Sequence, residues 1–265
     1  MHQFPDSDGA IPLMAHRGYA AAYPENTIEA IVAAADAGIR LIELDVQLSA
    51  DHVPVVIHDA TLVRTANRPE QVVDLTAAEL LKIEVNETDR LGDAFSGIRI
   101  PLLADAAKAL AAYPECLLFV EIKKESIEAF GNDVVVPAVL KALEQNSRCV
   151  IISFEYDCLL KVRELSGVPV GWVLREYSKA TEQLATRLAP EYLLINHLRL
   201  KSKPWPGDWQ WVCYEVTDVA HALDLADHGI DIISSMAAPE LLMQFDLLFQ
   251  GDAAPDEAAK EGGDD

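Results

Sequence analysis

The order of apolar segments most restricts what this 265-residue chain can fold into. Nine short strand-like runs alternate with amphipathic segments whose apolar residues recur at helical spacing. Strands that alternate with helices form parallel βαβ units, and this chain length favours a closed barrel over an open doubly wound sheet. We therefore predict an α/β fold, a (β/α)8 TIM barrel. The predicted strands are 13–15, 41–46, 53–58, 117–122, 150–154, 170–174, 193–196, 210–216 and 230–234, and the predicted helices are 27–37, 103–112, 134–145, 156–165, 179–188 and 219–228.

The run 53–58 is one strand more than an eight-stranded barrel needs. Only about six residues separate it from Val46, too few for a parallel crossover. We predict an antiparallel hairpin, which brings His58 back level with Asp45. The next stretch, about 60–100, has little strand character and is predicted to be a small insertion over the C-terminal face of the barrel. A single barrel domain is expected to cover residues 11–248.

The acidic composition restricts the partners of this chain. Its formal net charge is -22, and such a field repels polyanions, so nucleic acid and anionic membrane surfaces are poor partners. The field also opposes an anionic small molecule, so a phosphate site must supply its own positive charge. Residues 249–265 are rich in acidic and small residues and are expected to form a disordered acidic tail.

The remaining composition concerns the cellular compartment. The first twelve residues contain Asp6 and Asp8 but no Lys or Arg, unlike the basic start of a secretory signal. The four cysteines are scattered without a CxxC motif, which is typical of reduced thiols. We expect a cytoplasmic protein without stable membrane association, whose oligomeric state the sequence does not specify.

Acidic residues near the ends of two predicted strands form a candidate metal site. Chemistry in α/β barrels collects at the carboxyl ends of the strands. Glu43 and Asp45 are two residues apart, so both face the barrel interior, and Glu121 has the same placement on a later strand. Three convergent carboxylates without cysteine suit Mg²⁺ or Ca²⁺. The alternative is a structural network in which these acids pair with Arg17 and Lys123.

Two histidines at strand ends are the candidate proton carriers. His16 follows the first strand and His58 ends the hairpin, and histidine titrates in the range that acid–base catalysis at neutral pH requires. Arg17 can present a guanidinium fork to phosphate oxygens, and Lys123 can supply a point charge. The residues therefore point to cleavage of a phosphodiester.

The segment Pro24-Glu25-Asn26-Thr27 has the composition of a helix start. Asn26 is a favoured N-cap residue, and Glu29 follows at the spacing of a capping box. We predict that at least part of this segment is structural and begins the first helix.

Taken in order, several of these motifs resemble one enzyme family. They are His16-Arg17-Gly18, Pro24-Glu25-Asn26-Thr27, Glu43-Leu44-Asp45-Val46, His58-Asp59 with Arg64-Thr65, Glu121-Ile122-Lys123 and Ser153-Phe154. Their order and spacing are similar to those of the glycerophosphodiester phosphodiesterases, over roughly residues 13–242. The resemblance implies metal-dependent hydrolysis of glycerophosphodiesters, small-molecule substrates, to sn-glycerol 3-phosphate and an alcohol. It also implies the roles assigned above, with the attacking group left open between water and the substrate's own 2-hydroxyl.

The second half departs from the family pattern. Tyr214-Glu215-Val216-Thr217 stands where the family usually has Trp-Thr-Val-Asn, and Ser234-Ser235 stands where it usually has Thr-Asp. Tyr214 and Glu215 are therefore candidates for specificity toward the alcohol. Glu215 could favour a cationic head group such as choline or ethanolamine, unless it points outward on its strand.

Two other functions stay open. A lysophospholipase D-like or cyclising phosphodiesterase would act on lipid substrates, but the segment 60–100 is too polar to indicate an interfacial helix. A non-catalytic barrel usually lacks a ligand or a proton carrier, and none is missing from this sequence.

Overall fold

The computed structural model describes residues 11–146 and 148–251. Within them, eight parallel strands close into a barrel in the order β1-β2-β4-β5-β6-β7-β8-β9, and β9 pairs again with β1. The strands are β1 Leu13–Ala15, β2 Leu41–Leu48, β3 Pro54–Val56, β4 Leu117–Ile122, β5 Cys149–Ser153, β6 Val170–Leu174, β7 Tyr192–Asn196, β8 Gln210–Tyr214 and β9 Ile232–Ser235. The predicted TIM barrel is confirmed.

Helices occupy most of the connections between these strands. They are α1 Ile28–Asp36, α2 Val63–Ala66, α3 Ala77–Leu80, α4 Thr88–Leu91, α5 Leu103–Ala109, α6 Lys124–Phe130, α7 Asn132–Ala142, α8 Tyr156–Leu165, α9 Lys179–Leu188, α10 Val219–Asp227 and α11 Ala238–Gly251. The sequence predicted neither α6 nor α11. Within the described chain, the β7–β8 connection has a single 3-10 turn, His197–Arg199, and the side chains of Trp205 and Trp211 pack there instead.

The extra strand pairs as predicted. β3 lies antiparallel to β2, with Val46 opposite Val56, and the Ile57 amide donates to the Asp45 carbonyl at 2.9 Å. His58 therefore returns to the level of Asp45. The hairpin places a residue from a loop beside the carboxyl end of a barrel strand.

Alternate residues of each strand enter two separate cores. Phe119, Val150 and Leu194 fill the barrel interior, while Ile42 and Leu44 pack outward against the helices. This alternation follows from the two-residue repeat of a strand. It is also what turns the acidic residues of β2 inward.

The insertion, residues 60–100, contacts the loop that follows β1. Its apolar residues, which include Leu62, Leu80 and Ile100, form a small core together with Val55 and Ile57 of the hairpin. The Arg90 guanidinium donates to the backbone carbonyls of Ala20, Ala21 and Tyr23, at 2.7–3.2 Å. The insertion therefore braces the C-terminal end of the barrel, where the predicted catalytic residues lie.

The end of the chain differs in part from the prediction. Helix α11 continues to Gly251, so the first three residues of the expected tail are helical. Residues 252–265 lie outside the described residues. Among the described helices, none is long and apolar enough to cross a membrane, and the four cysteines are buried as free thiols.

Candidate active site

A tight turn after β1 positions the first group of polar residues. Arg17 and Gly18 have φ values of 60° and 75°. A side chain at Gly18 would place its Cβ 2.7 Å from the backbone of Ala30, so only glycine fits. The Arg17 amide donates to the Glu43 carboxylate at 3.0 Å, and the His16 amide donates to the Ser235 carbonyl at 3.0 Å. The turn is thus fastened to both neighbouring strands.

The three predicted carboxylates meet inside the barrel mouth. β2 and β4 pair in a register that sets Asp45 opposite Glu121. Glu43, Asp45 and Glu121 each offer an oxygen within 4.8 Å of the others, and all three are buried. The Lys123 ammonium lies between Asp45 and Glu121, at 3.1 and 2.7 Å. These residues converge as the alternating pattern required.

The electrostatics of this cluster favour a cation. Burial, with Asp45 nearby, raises the pKa of Glu43 to about 8, and burial also raises the pKa of Glu121. The pKa of Asp45 is lowered despite its burial, because Lys123 and Arg17 stabilise the charged form. Among the described residues, Glu43 Oε1 is buried without a hydrogen-bond partner. A buried carboxylate oxygen without a hydrogen-bond partner is free to coordinate a metal ion, so these acids could hold one.

The raised pKa of Glu43 leads to a stability prediction for the metal-free protein. The folded state binds the Glu43 proton more tightly than the unfolded state, so stability should fall as pH rises from about 4.5 toward 8. We expect Glu43→Gln to reduce this decline, because the raised pKa values of Glu121 and His16 still contribute to it. At pH 8 this substitution should stabilise the metal-free protein by roughly 1 kcal/mol or more, about 2–4 °C in Tm.

Thermal melts in EDTA across this pH range measure the effect. Glu128→Gln, at an exposed position on α6, is the matched control and should leave the decline unchanged. A variant Glu43→Gln with the same pH slope as wild type would contradict the assignment.

Each of the two predicted histidines has a carboxylate partner at its Nδ1 nitrogen. His16 Nδ1 lies 2.6 Å from a Glu215 oxygen, and His58 Nδ1 lies 2.6 Å from an Asp59 oxygen. A carboxylate can only accept, so Nδ1 carries the proton in each ring. Burial lowers the pKa of His16, but Glu215 and Glu43 outweigh it and raise the value overall. Both rings line the inner cavity, and the bond at Nδ1 leaves Nε2 of each ring for other contacts.

A chain of charged side chains links the two histidine loops. Arg64 makes paired hydrogen bonds with Asp59 and with Glu25, at 2.7–3.1 Å. Arg17 continues the chain, with Nη1 3.0 Å from Glu25 and Nε 3.2 Å from Asp45. The sequence did not predict site roles for Glu25, Asp59 and Arg64, although they fall in the motifs that carried the resemblance.

Asn26 differs from its predicted role. The N-cap of α1 is Thr27, whose hydroxyl accepts from the Ala30 amide. Asn26 has a left-handed φ of 58°, and its side chain makes two hydrogen bonds with Asp45. Asn26 Nδ2 donates to Asp45 Oδ2 at 2.9 Å, and the Asp45 amide donates to Asn26 Oδ1 at 3.0 Å. The prediction of Asn26 as N-cap was wrong, because the need to hold a buried aspartate outweighs the local capping preference.

Two adjoining cavities open on this cluster. The inner one, of about 100 Å³, is lined by residues that include His16, the three acids, Lys123 and Tyr214. The wider one, of about 380 Å³, is lined by residues that include His58, Lys124, Phe154 and Arg175. His58, Glu121, Lys123 and Phe154 border both, so the cavities meet at the acidic cluster.

The two specificity candidates are placed differently. Tyr214 lines the inner cavity, whereas Glu215 does not line either cavity. The Glu215 carboxylate is directed to His16 and to the Met236 amide. Its predicted recognition of a cationic head group stays a prediction, and the geometry gives Tyr214 the more direct access to a bound molecule.

Comparison with known proteins finds one enzyme family. Residues 16–203 match the model of the glycerophosphoryl diester phosphodiesterase family. A glycerophosphodiester phosphodiesterase of Caldanaerobacter subterraneus is 35% identical over 154 residues, which cover 58% of this chain and 62% of that protein. The Bacillus subtilis protein YhdW is 32% identical over 71% of this chain and 77% of its own length. The match to human glycerophosphodiester phosphodiesterase 1 covers 58% of this chain and 46% of that protein.

Solved structures share the fold. A phosphodiesterase of Oleispira antarctica, described in complex with the product sn-glycerol-3-phosphate, superposes with a TM-score of 0.79 at 23% identity, covering 89% of this chain and 97% of that one. A glycerophosphodiester phosphodiesterase of Agrobacterium tumefaciens superposes with a TM-score of 0.71 at 23% identity, covering 89% of this chain and all of the other. At these identities the likeness concerns the barrel itself.

Proposed function

Because the chain belongs to the glycerophosphoryl diester phosphodiesterase family, we propose that it hydrolyses glycerophosphodiesters to sn-glycerol 3-phosphate and an alcohol. One observation carries this proposal: three buried carboxylates and two Nδ1-anchored histidines line a single cavity. The product named for the Oleispira protein supports the same choice of substrate.

Glu43, Asp45 and Glu121 are the proposed ligands of a divalent metal. Their all-oxygen donor set suits Mg²⁺ or Ca²⁺. When bound, such an ion supplies positive charge to the phosphate oxygens and helps to orient the substrate. Arg17 and Lys123 line the same cavity and add fixed positive charge. Together they offset the repulsion between an acidic protein and its anionic substrate.

We assign a different catalytic role to each histidine from the cavities that it borders. The inner cavity matches a glycerol-sized group, and the wider one leaves room for varied alcohols. His16 borders the inner cavity, so it is placed to deprotonate the attacking water or 2-hydroxyl. His58 borders both cavities, so it is placed to protonate the departing alkoxide.

This division predicts how each histidine responds to the leaving group. A p-nitrophenyl ester of glycerophosphate needs no proton on its leaving oxygen. We expect the defect of His58→Ala to shrink from about 100-fold on glycerophosphocholine to under about 10-fold on this ester, because a general acid contributes about 10²–10⁴ only where protonation is needed. His16→Ala should lose as much on both substrates. Comparing kcat for the two variants measures this, and equal defects of His58→Ala on both substrates would contradict the division.

A substrate comparison tests the proposed function against its alternatives. The purified chain is assayed with glycerophosphocholine and with a lysophospholipid, each with and without EDTA. We expect EDTA-sensitive hydrolysis of glycerophosphocholine. Faster turnover of the lysophospholipid, or release of a cyclic phosphate as the final product, would favour the lipid-directed phosphodiesterase. No turnover of either substrate with added metal would favour a non-catalytic barrel.

The remaining sequence-based expectations concern specificity and surroundings. We propose that Tyr214, which lines the inner cavity, shapes alcohol preference, and a direct effect of Glu215 on the head group stays a prediction. The test compares kcat/KM for choline, ethanolamine and glycerol head groups in wild type and in Glu215→Thr. Similar values for cationic and neutral head groups in wild type would refute a cationic preference.

We also propose a cytoplasmic protein that acts on small molecules and does not bind nucleic acid.

A further inference from the structure

Glu215 belongs to the last part of the barrel, yet it reaches the first. It follows β8 directly, and Oε2 of its carboxylate lies 2.6 Å from His16 Nδ1, across 199 positions of sequence. The other oxygen, Oε1, accepts from the Met236 amide and lies 3.3 Å from the Ser235 hydroxyl. The carboxylate is therefore held from two directions and has one oxygen directed at the histidine.

The same segment also fixes the backbone of His16. The His16 amide donates to the Ser235 carbonyl, and the Val216 amide donates to the Ser234 carbonyl, so the ends of β8, β9 and β1 are joined around Glu215. With ring and backbone both held, the imidazole has little freedom to rotate. His16 Nε2 is thereby kept on the cavity side, 3.8 Å from Glu43.

We infer that Glu215 is a positioning residue that fixes the ring orientation and tautomer of His16, which deepens the proposed function and rests on it. The hydrogen bond holds a proton on Nδ1, so Nε2 presents its lone pair to the water or 2-hydroxyl that attacks phosphorus. Asp59 does the same for His58 from a neighbouring residue. Glu215 lines neither cavity, so in this role it acts through His16.

Kinetics of a double-mutant cycle test this inference. The partners that orient metal-bound histidines contribute about 10- to 100-fold, and we expect a similar effect here: Glu215→Ala should lower kcat on glycerophosphocholine by that factor and leave KM within about twofold. In the His16→Ala background, Glu215→Ala should change kcat by less than about twofold. Equal losses in both backgrounds would overturn the inference, because Glu215 would then act independently of His16.

Two further variants separate positioning from folding. Glu191 at the opposite end of the barrel also accepts from a charged side chain, Arg163 at 3.0 Å, and from a backbone amide, Val170 at 2.8 Å. Glu191→Ala is the structural control and should leave kcat unchanged. Glu215→Gln keeps the shape but only one acceptor oxygen, and the Met236 amide also needs one, so the new NH2 group is turned toward His16 Nδ1 and favours the other tautomer. We expect Glu215→Gln to lose about as much kcat as Glu215→Ala, and a folded Glu215→Gln that keeps wild-type kcat would overturn the inference.

The ring of His16 can also be observed without any substrate. Long-range ¹H–¹⁵N spectra at fixed pH should show the proton on Nδ1 in wild type and a mixture of tautomers in Glu215→Ala. An unchanged tautomer would overturn the inference. If wild type does not hydrolyse glycerophosphodiesters but the tautomer shifts as expected, the proposed function fails and the positioning role stands.

Discussion

His16→Ala and His58→Ala are each expected to lower kcat on glycerophosphocholine by about 100-fold or more. A positioned general acid or base contributes about 10²–10⁴ to a rate. Both rings line the inner cavity beside the acidic cluster, and both are anchored through Nδ1 by a carboxylate. Since neither ring is a proposed metal ligand or phosphate contact, KM should change far less than kcat. Steady-state kinetics at saturating metal measure both.

The double variant His16→Ala/His58→Ala shows whether the two histidines act together in one reaction step or independently. If the two histidines serve one reaction step, His16→Ala/His58→Ala should be slower than wild type by much less than the product of the single effects. His228→Ala provides the control, because that ring is exposed on the surface. Single variants within about threefold of wild type would remove the histidines from the mechanism.

Removal of the metal is expected to abolish hydrolysis. Lys123 and Arg17 pair with Asp45 and Glu121, whereas Glu43 Oε1 is buried and has no hydrogen-bond partner among the described residues, so the three carboxylates could hold an added cation. We expect EDTA to reduce turnover to background, and Mg²⁺ or Ca²⁺ to restore it. The ion that restores the higher kcat identifies the functional metal.

Metal affinity in variants of the proposed metal ligands provides a readout that does not depend on turnover. Calorimetric titration with Mg²⁺ and with Ca²⁺ should show one strong site in wild type, weakened at least about tenfold in Glu121→Gln. Glu128→Gln, an exposed acid on the helix that follows Lys123, should bind as wild type does. Full turnover by the metal-stripped protein would contradict the metal site.

Local periodicity explains how much could be predicted. Glu43, Asp45 and Glu121 follow from the two-residue repeat of strands whose other face must pack against helices. His58 follows from a connection too short for a parallel crossover, which forces the hairpin. In both cases a short stretch of sequence decides the direction of a side chain, so the carboxylate cluster and the position of His58 could be predicted from sequence.

The partners of these residues depend on contacts between distant segments. Glu215 reaches His16 because β8 and β1 flank β9 in the closed barrel, and nothing in the local sequence of either strand reports that distance. Asn26 has a composition suited to an N-cap, but a buried aspartate 19 residues later sets its conformation. Where a polar side chain has two competing partners, the tertiary structure decides between them.

The most direct test of the proposed chemistry is phosphorus NMR of a single reaction. Purified protein is incubated with glycerophosphocholine and Mg²⁺ or Ca²⁺, with an EDTA-treated sample alongside. We expect the diester resonance to disappear and a monoester resonance to appear, with the product identified as sn-glycerol 3-phosphate by a stereospecific dehydrogenase, and no change in EDTA. A diester resonance that persists with every metal, or a monoester that forms equally in EDTA, would contradict metal-dependent glycerophosphodiester hydrolysis.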